Sequence, residues 1–233
     1  LKRFPSIPLG ILSCFFLLTL VKGQTADLDS LKATYENQTL PDSTRFSALQ
    51  KLTFRLIFRD GDLAKQSILE GLRRLERTEG KKRTYYDLYQ NLGIYYDVYQ
   101  EMDSALFIFT AILEESKIQN WEDLEQRSYN NLGMNSLNSS KYGEAIEYFS
   151  NALDLAKADS DASETNYVKY ISNLGLANQE LELYDQAIKY HLEALAIRQR
   201  MEDANGMSIS HGNLGICYRQ LEEFDKAVIH FKT

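Results

Sequence analysis

The stretch YNNLGMNSLNSSKYGEAIEYFSNALDLA, residues 129–156, holds two short amphipathic segments on either side of a polar break. Apolar residues recur in each half at steps of three and four, the spacing that lines one face of an α-helix. Counting from Gly133, an alanine follows at twelve residues (Ala145), a large ring at sixteen (Phe149) and a second alanine at nineteen (Ala152), while Tyr129 stands four residues before it. The polar NSSKYG at 138–143 joins the halves, so the stretch reads as two helices folded back on each other.

The same arrangement returns along the chain. Asn91-Leu92-Gly93, Asn131-Leu132-Gly133, Asn173-Leu174-Gly175 and Asn213-Leu214-Gly215 follow one another at steps of 40, 42 and 40 residues. Each glycine is trailed by its alanine (Ala105, Ala145, Ala187, Ala227) and then by Phe109, Phe149, His191 or Phe231. A glycine inside a helix costs about 1 kcal/mol relative to alanine, so four at one register need a packing reason. Pairing of Gly93 with Ala105, and likewise of each later glycine with its alanine, would let the two helices of a unit approach closely, with the neighbouring leucine filling the space between units. No such unit can bury its apolar face alone, so the units must stack into an all-α solenoid. The units run 86–125, 126–167, 168–207 and, in part, 208–233. Leu52, Ala64 and Ile68 are in phase with them and suggest a degenerate helix pair at 45–78, after a lead-in segment at 24–44.

The order and spacing of ring, Leu-Gly, Ala, Phe and Ala resemble the tetratricopeptide repeat, clearly over residues 86–233. Two departures stand out. The step exceeds the usual 34 residues, as in kinesin light chains and many exported bacterial sensor proteins, and the proline that often closes a unit is missing. The resemblance implies a right-handed superhelix of antiparallel helix pairs whose concave groove, lined by the first helix of each unit, binds a protein or peptide. Asn91, Asn131, Asn173 and Asn213 would form a ladder of amides, each able to donate and to accept, either along the backbone of an extended peptide or within the scaffold. Ile94, Met134, Leu176 and Ile216, one residue past each glycine, would add an apolar strip. The basic pair that clamps a carboxylate terminus in some relatives is not apparent, since the matching places hold Gln90, Asn130, Ser172 and Gly212. The aromatic run at Tyr85, Tyr86, Tyr89, Tyr95, Tyr96 and Tyr99 fits either inter-helix core or a ligand cage.

Catalytic groups do not converge in this pattern. His191 and His211 occupy repeat core positions and His230 lies in the last helix, while Cys217 has no local partner. No metal-ligand spacing and no phosphate loop occurs, so neither catalytic nor metal-binding residues are expected, and no cofactor.

The chain opens LKRFPSIPLGILSCFFLLTLVKGQ, with a basic start, an apolar run from about Ile7 to Val21 and compact residues before Gln24. This is the form of an export signal spanning residues 1–23, or of an anchor that stays attached. Its removal takes away Lys2, Arg3 and Lys22 and no acid, so a net charge of −7 becomes −10. Nucleic acid is then not expected as a partner of this segment. Cys217 alone remains outside the signal, which suits a bacterial periplasm or a membrane-anchored protein facing it better than a disulfide-rich ectodomain. The helical pattern runs to HFKT without a stop signal, as expected of a fragment. Two roles follow: an exported binding scaffold, or the input domain of a signalling kinase, cyclase or transcription regulator whose output part and membrane span lie downstream.

Overall fold

The computed structural model describes residues 25–78, 81–158 and 163–232. The export-signal expectation at 1–23 lies outside them. Among the described residues the chain is all α: α1 Thr25–Glu36, α2 Asp42–Ile57, α3 Gly61–Thr78, α4 Arg83–Val98, α5 Met102–Ile118, α6 Glu122–Asn138, α7 Tyr142–Ala158, α8 Glu164–Glu180, α9 Tyr184–Arg200, α10 Ala204–Gln220 and α11 Phe224–Phe231. The described residues divide into two compact units, with the boundary between Ile108 and Phe109 in α5.

The period of the sequence comes from the helix ends. Every helix from α5 to α10 has 17 residues. Three-residue joints follow α4, α5, α6, α8, α9 and α10, and the middle residue of each is left-handed: Gln100, Asn120, Ser140, Glu182, Glu202 and Glu222, with φ from 55° to 64°. Main-chain bonds close each joint in the Schellman pattern. Lys141 N–H donates to Ser136 O at 2.8 Å and Ser140 N–H to Leu137 O at 3.0 Å, and the other five joints repeat this pair of bonds. Two helices and two such joints span 40 residues; five residues instead of three separate Ala158 from Glu164, which makes one step 42. The helix pairs open at 83, 122, 164 and 204, three or four residues ahead of the units drawn from the tripeptide.

In the first unit α2 packs on α1, α3 and α4. Leu52, Ala64 and Ile68 are buried there, and Thr53, fully enclosed, stands 40 residues before Gly93. The lead-in contains α1, fastened by a buried arginine: Arg45 Nε donates to Tyr35 O at 2.9 Å, and Nη1 donates to Asp42 Oδ1 at 2.7 Å.

In the second unit each helix from α6 to α11 packs on the next, while α6 also touches α8 and α8 touches α10. Leu132, Leu174 and Leu214 and the alanines Ala145, Ala187 and Ala227 are all buried. The partner of the glycines differs from the expected alanine. A Cβ placed on Gly133, Gly175 or Gly215 would come within 2.5 Å of Cε1 of Phe149, His191 or Phe231, the ring sixteen residues on. The glycine is a seat for a ring edge, and the buried alanine leaves that ring room to reach it. Leu92, Gly93 and Ala105 are buried in the first unit.

Candidate functional site

The first helices of the second unit, α6, α8 and α10, expose the same pattern of residues. Leucine and glycine of each tripeptide point inward, and the asparagine before them and the residue after the glycine stay half-buried. Residues three apart share a helix face, which places Asn131 beside Met134, Asn173 beside Leu176 and Asn213 beside Ile216. One turn toward the helix start, the same face carries Arg127, Lys169 and Ile209. It ends at Asn138, Glu180 and Gln220, where burial pushes the Glu180 carboxyl above its ordinary value.

The amides are used differently. Asn173 Nδ2 donates to Asn130 Oδ1 at 2.8 Å, tying α8 to α6. Asn131 Nδ2 is enclosed and makes no hydrogen bond. Asn213 is half-buried. Asn91 differs: it is 4% exposed, and its Nδ2 gives both hydrogens to α2, to Gln50 O at 2.7 Å and Thr53 Oγ1 at 2.9 Å. The half-buried amides of the series are therefore Asn131, Asn173 and Asn213, because Thr53 and the Gln50 carbonyl already take the fourth. Ile94 on α4 remains half-buried.

Sequence reasoning did not single out Arg127 and Lys169, although each stands four residues ahead of a repeat asparagine. Arg127 pairs with Asp123 at 3.6 Å. The Lys169 ammonium reaches Asn166 Oδ1 at 3.4 Å and lies 5.0 Å from the Tyr170 ring centre. Burial, and then the charge of Arg127, push its pKa down to about 8.

The aromatic run is divided between packing and surface. Tyr95 is buried and stacks on Tyr99 at 4.5 Å, and the Lys65 ammonium covers Tyr95 and Tyr96 at 5.1 and 4.8 Å. Tyr89 and Tyr96 line an open cavity of about 460 Å³ with Leu92, Ser104 and Phe107. His191 is 1% exposed and its pKa is lowered to about 4, by burial and then by Arg198. The structure brings two histidines together that the sequence kept apart: His211 Nδ1 lies 2.8 Å from His230 Nδ1, with Tyr218 stacked on His230. Among the described residues no three potential metal ligands converge. Burial raises the Cys217 thiol to about 12, and it donates to Gln179 Oε1 at 3.3 Å.

A tetratricopeptide repeat model matches residues 124–200 and 167–233. Over 101 residues the chain is 32% identical to Protein FLUORESCENT IN BLUE LIGHT, chloroplastic, of Arabidopsis thaliana; the match takes in 43% of this chain and 31% of that protein. Among solved structures, BtubC (BKLC) of P. vanneervenii is similar with a TM-score of 0.74 and 23% identity, over 90% of this chain and 89% of that one. The kinesin light chain-like repeats of Podosopora anserina give 0.65 and 13%, over 81% and 92%. RapI in its apo form gives 0.65 and 17%, over 95% of this chain and 62% of that one. These likenesses concern the fold.

Proposed function

We propose, from the premise that this chain belongs to the tetratricopeptide repeat proteins, that it is an exported scaffold whose α6, α8 and α10 bind an extended protein segment. The observation that supports the reading is the half-open polar and apolar pair at one register on three consecutive helices: Asn131 with Met134, Asn173 with Leu176, Asn213 with Ile216. Packed helices lie about 8–10 Å apart, and an extended chain advances about 3.3 Å per residue. Successive amides would thus meet the partner's backbone at about every third residue, while the apolar side chains receive what points between. Catalysis has no part in this reading. Export is supported by the basic and apolar opening, residues 1–23.

The test is binding of a selected peptide to the Asn131→Ala, Asn173→Ala double variant. Loss of binding with unchanged helicity and melting supports the reading; undiminished binding sinks it. A second reading, the input domain of a membrane-bound signalling protein, follows from the order of export signal, lead-in and long-step repeats. A membrane span encoded downstream of Thr233, followed by kinase, cyclase or DNA-binding motifs, supports it; a capping helix and stop codon there overturn it.

A further inference from the structure

We infer that the first unit holds a binding site for a small monocarboxylate with a single alkyl chain, its acid head at Arg45 and Arg74 and its chain along Leu49, Leu52 and Leu56. The site is independent of the peptide-binding reading and uses none of its residues. Both α1 and α3 pack on α2, and residues of all three line a cavity of about 580 Å³, within the roughly 300–1,000 Å³ of small-ligand sites. One stripe of α2 forms its floor. Arg45, Leu49, Leu52 and Leu56 line it at steps of four, three and four residues, which sets them along one helix face over about 16 Å. Asp42 fixes Arg74 of α3 at the Arg45 end: Asp42 Oδ1 lies 2.7 Å from Arg45 Nη1 and 3.8 Å from Arg74 Nη2. Leu63, eleven residues before Arg74 on α3 and 45% exposed, lines the leucine end. The cavity is cationic at one end and floored with leucine along the rest.

A carboxylate head would fill a deficit already present at the cationic end. Arg45 is 2% exposed; its Nε donates to Tyr35 O and its Nη1 to Asp42 Oδ1, while Nη2 is enclosed and has no acceptor. A buried charged donor without a partner is costly. The two guanidiniums share the one carboxylate of Asp42, so one positive charge stays without an ion-pair partner among the described residues. The Arg74 side chain, 35% exposed, meets the head first, and a small rotation of the Arg45 guanidinium then presents Nη2 to it. The bond would be charge-assisted, in a place where water screens poorly. Exposed Glu36 and Glu70 also line the cavity and oppose a second negative charge, which favours a carboxylate over a phosphate dianion.

The experiment is isothermal titration calorimetry of decanoate into the full chain, below its micelle concentration, beside decanol, decylamine and decyl phosphate. We expect saturable binding of decanoate, with decanol, decylamine and decyl phosphate each at least tenfold weaker. Arg74→Met, which keeps the aliphatic stem, should weaken decanoate at least tenfold and leave decanol unchanged. Ser67→Phe, which puts a ring into the cavity from α3, should remove both. Arg45→Met takes away the buried charge together with its bonds to Tyr35 and Asp42, so circular dichroism accompanies it, and Arg74→Met carries the test should that variant unfold. Decanol or decylamine binding as tightly as decanoate, or decanoate indifferent to Arg74→Met, means apolar adsorption only and overturns the inference. A preference for decyl phosphate overturns the carboxylate head, and the absence of saturable decanoate binding overturns the site.

Discussion

The ring of Phe149 occupies the space that a side chain at residue 133 would need: a Cβ on Gly133 would lie 2.5 Å from Phe149 Cε1. The ring is fully buried, so it can yield only by moving the core around it. Gly133→Ala should therefore destabilise the chain by about 1–3 kcal/mol through overpacking, against the gain alanine normally brings to a helix. Urea unfolding of the variant, repeated in a Phe149→Leu background where the penalty should shrink, checks the assignment.

Gly212 sits on the same helix as Gly215 with open space where its Cβ would be, whereas Gly215 faces the Phe231 ring at 2.5 Å. Gly212→Ala should stabilise by about 0.5–1 kcal/mol and Gly215→Ala should not. Opposite signs three residues apart, read from the two melting temperatures, test the ring seat independently of the overall helix propensity.

His191 replaces a phenylalanine of the repeat with a ring that can be charged. Its folded pKa, about 4, lies below the ordinary value of 6.5. The unfolded chain therefore binds a proton that the folded one does not between those limits, and stability falls as pH is lowered from about 6.5 toward 4, by on the order of 2–3 kcal/mol for this group. His191→Phe should remove that part of the slope, measured as unfolding free energy against pH, and leave stability near pH 8 at least as high.

Asn91 and Asn213 share a register and differ in duty. Asn91→Ala abandons the buried Gln50 carbonyl and Thr53 hydroxyl and should cost about 1–3 kcal/mol. Asn213→Ala, at a half-open position, should change stability by less than about 0.5 kcal/mol and show its effect in peptide binding instead. Equal losses of stability would mean that both amides belong to the scaffold.

The helical class, the pairing and the buried set were legible because they depend on periodicity, and Leu132, Leu174, Leu214, Ala145, Ala187 and Ala227 are where the spacing puts them. The glycine partner was not. Spacing shows which residues share a face, and the alanine and the ring four residues later share one, so atomic proximity was needed to choose Phe149 over Ala145. The helix ends were also hidden, since the left-handed positions hold Gln100, Asn120, Ser140 and three glutamates instead of the glycine that usually marks such a stop. Of the binding face, the asparagines stood out as part of a repeated word, while Arg127 and Lys169 vary in kind from unit to unit and become visible only when their helices lie side by side. The closeness of His211 and His230 depends on the pairing of α10 with α11 and has no local signature.

The joints themselves bear on how such an array can grow. Each is closed by main-chain atoms, so its geometry is indifferent to the side chains it carries, and the joints at Leu181-Glu182-Leu183 and Leu221-Glu222-Glu223 are interchangeable ends of one 40-residue module. Excising or duplicating a stretch from one such point to the other would rejoin the chain in an identical turn with every ring still facing its glycine. Length in this architecture is a heritable variable that can change by whole modules in a single recombination, without any core having to be redesigned.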